Sequence, residues 1–225
     1  MTAKKEAPVV TIPALKLKTF QLHIVGDSPL LVHAWSEKAK RTMLESQQQK
    51  APTSQGIRRP HVEFADSLYW LTEKPNLDDL TDEEAQEVLA KVIPQSKFGF
   101  PTIAFKAAAL DGSFQQGLLA AKAGGSKLAK TTARGAILVL GEFAEIEGTP
   151  TLHQSEARIG GSSRTTDLRF RGEFKEWETK LNIRYNSDAI SMEQIVTLFY
   201  IGGFSVGVGE WRNEKGGRYG MFHVE

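Results

Sequence analysis

Apolar and polar residues alternate from Phe20 to Val25, the period-two pattern of a half-buried strand. Gly26, Asp27, Ser28 and Pro29 end it with turn-forming residues. Leu30 to Trp35 is a second short apolar run. Residues 36–60 are polar, with three consecutive glutamines and two prolines. They read as a short helix from Glu37 to about Gln48 followed by a mobile loop. Ser67 to Leu71 fits either a strand or a single helical turn.

Helical period takes over after residue 80. Thr81 followed by Glu84 is a capping box, and Ala85, Val88, Leu89 and Val92 follow at helical spacing until Pro94. Phe100-Pro101 leads into an alanine-rich helix from Ile103 to Phe114. Ala136 to Phe143 reads as a buried strand, with a turn at Ile146-Glu147-Gly148. Period two returns at Leu168–Arg171 and Leu181–Tyr185. Ser191 and Gln194 form a second capping box, ahead of a helix whose apolar face is Met192, Ile195, Val196 and Phe199. A glycine-rich segment then reads as a closing strand pair or hairpin. The order is βαββαβ with a large insertion after the first strand, at about residues 36–95. It predicts an α+β fold: one domain over 19–225, an antiparallel sheet, two helices on one face, and a flexible arm over 1–18.

Composition narrows the function classes. The chain has 225 residues with a net charge of +1, from 28 basic and 27 acidic side chains, so any electrostatic signal must be local. It has no cysteine, which excludes disulfides, thiolate metal sites and a cysteine nucleophile, and fits a cytoplasmic setting. No apolar run has the length of a membrane span, and the first 18 residues lack the apolar core of a signal peptide. None of the five histidines has metal-ligand spacing, and no cofactor motif is present.

Charge is segregated along the chain. Residues 38–59 carry six basic side chains against one acid, 122–134 carry four against none, and 158–175 carry five against two. The acids gather at 78–87. Basic runs are often only solvated faces, but Arg169 and Arg171 fall on one side of a predicted strand, opposite Leu168 and Phe170. Seven of the twenty glycines lie between 202 and 220, interleaved with Trp211, Arg212, Lys215, Arg218 and Tyr219. The spacing fits neither a dinucleotide fingerprint nor a Walker A loop. Glycine allows close backbone approach, and basic and aromatic residues suit phosphates and bases. A self-packed hairpin with Trp211 in the core is the alternative. Trp35, Tyr69, Trp70, Trp177 and Trp211 are the stacking candidates, with Trp177 and Tyr185 assigned to the core.

Three segments together resemble the RAMP superfamily, the RRM-like subunits of CRISPR effector complexes that bind guide RNA. They are Phe20 to Trp35, Phe100-Pro101-Thr102-Ile103-Ala104-Phe105-Lys106-Ala107-Ala108, and the glycine-rich segment. In the second, Thr102 and Ala104 stand where glycine and serine are usual. Gly207 to Gly217 also resembles a group of phage and prophage proteins. The resemblance implies a ferredoxin-like fold that contacts single-stranded nucleic acid, RNA before DNA, in a bacterial cytoplasm. It also implies head-to-tail assembly or a multi-subunit complex.

The expected interface comprises Lys106, Lys122, Lys127, Lys130, Arg134, Arg158, Arg164, Arg169, Arg171, Trp211, Arg212, Lys215 and Arg218. Gly207, Gly209, Gly216, Gly217 and Gly220 are expected to bring the loop backbone over the strand. Residues 36–70 would act as a thumb or lid, or contact a neighbouring subunit. No catalytic residue is expected. The alternatives are a ribonuclease using His33, since some RAMP nucleases cleave with a histidine near the first helix, and an assembly protein without nucleic acid.

Overall fold

The alternation at Phe20 becomes a ten-residue strand, β1 (Leu17–Gly26), with Leu22 and Ile24 buried. The computed structural model describes residues 14–35, 44, 58–115, 130–159 and 165–225. Apart from Leu44, the helix expected at 37–48 and its loop up to residue 57 lie outside the described residues, as do the first 13 residues of the expected arm. Leu17 already pairs with Asn186.

β1 lies between β9 (Glu178–Asn186) and β10 (Phe222–Val224), antiparallel to both. The far edge of β9 is shared by β5 (Ile137–Val139) and β6 (Phe143–Glu147). β6 continues to β4 (Phe98–Pro101) and then β3 (Tyr69–Trp70), again antiparallel. With β5 and β6 taken as one interrupted strand, the central order is the fourth, first, third and second strand of a βαββαβ unit. That is the ferredoxin-like arrangement expected from the sequence.

The two helices of that unit are α3 (Thr102–Gln115) and α5 (Met192–Ser205). They cross at small residues. A Cβ on Gly202 would lie 2.4 Å from the Ala108 carbonyl oxygen and 2.6 Å from Ala109 Cα. Beneath them Phe105 packs edge-on against Phe100 and Phe222, at 5.9 and 5.7 Å between centroids. Trp177 and Tyr185 are buried, as expected for core residues. Each fully buried aromatic or large aliphatic side chain contributes about 1.5–3 kcal/mol.

A second sheet is inserted between β6 and β9. It is the long hairpin of β7 (Pro150–Ile159) and β8 (Thr165–Phe174), with β2 (Leu30–Val32) on the outer side of β8. Helix α1 (Pro60–Ser67) backs it. The Gly172 backbone N–H donates to Ser67 Oγ at 2.7 Å. The capping box at Thr81 forms as expected and starts α2 (Asp82–Val92).

The structure corrects several sequence expectations. α1, β4, β7 and α4 (Lys130–Ala136) are additional elements. The strand expected over 136–143 is divided, because the start of α3 fills the gap. Thr102 donates its N–H to the Glu142 carbonyl at 3.0 Å and its hydroxyl to that of Gly141 at 2.5 Å. The glycine-rich segment is not a hairpin. Only Phe222–Val224 forms a strand, and residues 207–220 are an irregular loop around one 3₁₀ turn.

Candidate nucleic-acid interface

Strand alternation places Thr19, Gln21, Lys180, Asn182 and Arg184 on the sheet face away from the helices. Acids share that face. Lys97 pairs with Glu145 at 2.9 Å, and Lys180 with Glu147 at 3.4 Å. This mixed surface is a poor track for phosphates.

The richer constellation lies where the glycine loop meets the second sheet. β8 sends Asp167, Arg169, Arg171 and Glu173 to one face, opposite Phe170 and Gly172. The loop lies against that face. The Glu210 backbone N–H donates to the Leu31 carbonyl of β2 at 2.9 Å. Gly209 makes this approach possible: its φ is +80°, and a Cβ there would lie 2.5 Å from the Leu31 oxygen. The Tyr219 ring meets His153 of β7 edge-on at 5.7 Å.

Glu210 is the hub. His33 Nδ1 donates to its Oε1 at 3.0 Å, and Arg171 Nη2 donates to its Oε2 at 2.7 Å. The Tyr69 hydroxyl donates to the His33 carbonyl at 3.4 Å. The His33 hydrogen bond, helped by the charges of Arg171 and Arg169, holds the Glu210 carboxyl below the usual carboxylate range despite partial burial. Burial lowers the pKa of Arg171, and burial together with the Glu210 charge raises that of the Tyr69 phenol.

A carboxyl with a depressed folded-state pKa stabilises the fold fully above its unfolded pKa of about 4.3, and loses that contribution as pH falls through the folded value. Wild type should therefore melt higher than Glu210→Gln at neutral pH. The difference should close below about pH 4, measured as the two melting temperatures across pH.

The expected binding residues fare unequally. Trp211 is exposed, not in the core, and it has φ +49°, the left-handed backbone uncommon for a bulky residue. Arg218 and Arg134 are exposed, and Lys215 is largely so. Arg169 is half exposed, with its Nε 3.7 Å from Asp167. Others are committed internally. Arg171 is 3% exposed and paired, so it is not an open phosphate contact. Arg212 grips Glu214, with Nη2 at 2.6 Å. Lys106 donates to the carbonyls of Arg134 and Ile137, at 3.0 and 2.6 Å, and ties α3 to α4 and β5. Lys130 pairs with Asp111.

Of the basic run at 38–59, Arg58 is bound to Glu63 and Asp167, and Arg59 to three carbonyls before α2. Lys122, Lys127 and Arg164 lie outside the described residues, as does the Arg158 side chain. Gly207, Gly209, Gly217 and Gly220 abut this chain's own backbone, and only Gly216 faces open space. The glycines pack the loop on itself and on β2.

Sequence reasoning missed the role of Glu210, although it sits inside the segment that drew attention, because its partners His33 and Arg171 are remote in sequence. Among the described residues, no helix is long and apolar enough to cross a membrane.

Fold and site define a ferredoxin-like α+β protein with a cation-lined seam between an inserted hairpin and a glycine loop. No family model matches the chain, and no curated protein matches it. Among solved structures it is similar to Cmr6 from Pyrococcus furiosus, with 14% identity, 94% of this chain and 100% of that chain covered, and a TM-score of 0.35.

Proposed function

We propose that this chain binds single-stranded nucleic acid, RNA in preference to DNA, and holds it without cutting it. Trp211 carries the reading. Left-handed backbone costs a non-glycine residue about 1–2 kcal/mol. Burial does not offset that cost here, because the side chain is held 50% exposed, one residue along the loop from Glu210, which pairs with His33 and Arg171. Backbone strain that presents an aromatic ring to solvent suits base stacking. Arg169, Lys215 and Arg218 supply accessible charge for phosphates. The preference for RNA, and assembly of copies or sister subunits along the strand, follow from the sequence resemblance.

Trp211→Ala should weaken binding of a single-stranded oligoribonucleotide about 5- to 150-fold, from the loss of about 1–3 kcal/mol of stacking, with the melting temperature nearly unchanged. Fluorescence anisotropy reads the first effect and thermal unfolding the second. Unchanged affinity would remove Trp211 from the interface.

One observation favours a second reading. A carboxylate orients His33, which stays partly exposed, so the pair is equipped to move a proton. A ribonuclease of this kind would lose RNA cleavage on His33→Ala while still binding RNA.

A further inference from the structure

We propose that His33, Arg169 and Arg171 form a binding site for a phosphate group, with the Glu210 carboxylate occupying it in the free protein. The proposal deepens the nucleic-acid reading and rests on it for the source of the phosphate, but not for the site itself.

The first observation is the state of Arg171. The side chain is almost wholly buried, yet among the described residues its Nε has no hydrogen-bond partner. Its Nη1 is 3.4 Å from Ser155 Oγ, and its Nη2 alone makes a short bond, to Glu210. A guanidinium carries five donors in a rigid fork that matches paired phosphate oxygens. One carboxylate oxygen leaves most of that capacity unused. Buried polar atoms without partners are uncommon in folded proteins and call for an explanation.

The second observation is that two donors converge on Glu210 while the charge of a third side chain stands close by. Arg171 and His33 both bond to Glu210, and Arg169 adds its field from two residues along the same face of β8. Arg169 is only loosely held by Asp167. A phosphate presents more acceptor oxygens than a carboxylate and could meet all three side chains.

The third is that Glu210 can leave. The Glu210 backbone N–H and Gly209 anchor the loop on β2 in addition to the carboxylate, so the loop backbone keeps its hold when the side chain turns away. The side chain is 35% exposed, so a rotamer change opens the site without moving the loop. The carboxylate is then an internal counter-ion that an incoming phosphate replaces.

The test uses the full chain, its Glu210→Gln variant and the double variant Glu210→Gln/Arg169→Ala. The probes are one single-stranded oligoribonucleotide with a 5′-phosphate or a 5′-hydroxyl, and inorganic phosphate. Glu210→Gln should bind the oligonucleotide at least tenfold tighter than wild type, and Arg169→Ala should cancel the gain. An equal gain for both oligonucleotides assigns the site to an internal phosphodiester, and a gain confined to the 5′-phosphorylated one assigns it to a chain end. Inorganic phosphate should raise the melting temperature of Glu210→Gln more than that of wild type.

If Glu210→Gln, shown folded by circular dichroism, gains nothing with any probe, Glu210 is a strut and the proposal is overturned. If no variant binds an oligonucleotide but phosphate still stabilises Glu210→Gln, the nucleic-acid reading fails and the phosphate site stands.

Discussion

Gly220→Ala should lower the melting temperature by about 10 °C, the larger of the two strongest effects expected from this structure. A Cβ at this position would lie 1.7 Å from the Val208 carbonyl oxygen, a backbone atom with no freedom to retreat. Gly220 also has φ +65°, which an alanine adopts only at a cost. Overpacking and the left-handed backbone together cost about 3 kcal/mol. The consequences spread, because Gly220 knots the loop to the first turn of the fold: its N–H donates to the Pro29 carbonyl at 2.8 Å, and its own carbonyl accepts from Val208 at 2.9 Å. Gly216→Ala is the matched control. It has φ +74°, but a Cβ there would meet no atom within 4 Å, so only the backbone cost of about 1 kcal/mol applies. Equal melting temperatures for the two variants would mean that the loop does not pack as described.

Arg171→Met should cost about 2 kcal/mol, because it strips the partly buried Glu210 carboxylate of a charged hydrogen-bond partner. Adding Glu210→Gln should recover much of that loss, since the stranded charge disappears with its partner. The four members of this double-mutant cycle can be compared by urea denaturation. Additive losses would show that the two side chains contribute independently and that the pair does not join the loop to β8.

Much of the frame was legible in the sequence because its signals are local. The alternation at Phe20–Val25 and Leu181–Tyr185 marks the two central strands, β1 and β9. The capping residues Thr81 and Ser191 start α2 and α5 where expected. Elements were missed where tertiary contact outweighs local pattern. α1 has a proline start and a weak apolar stripe, and is held by Ser67 against Gly172 of β8. β4 is four residues long, and its place in the sheet comes from β6.

The site was legible in part. Arg169 and Arg171 do share a strand face, as their spacing predicted. Spacing carries no information about what covers that face, and the loop that covers Arg171 lies about forty residues further along the chain. The glycines were visible as a cluster, but their role is contact with this chain's own carbonyls, a relation between positions that only the folded backbone reveals.

The central claim is that the seam between loop and hairpin holds a single strand through cations and Trp211. The most direct test is fluorescence anisotropy of the purified chain with single-stranded RNA, single-stranded DNA and duplex across a salt series. The account predicts saturable binding, strongest for single-stranded RNA. The log–log salt slope should be about −2, as neutralisation of three phosphates by Arg169, Lys215 and Arg218 requires. Absence of binding to either single strand at low salt would contradict it.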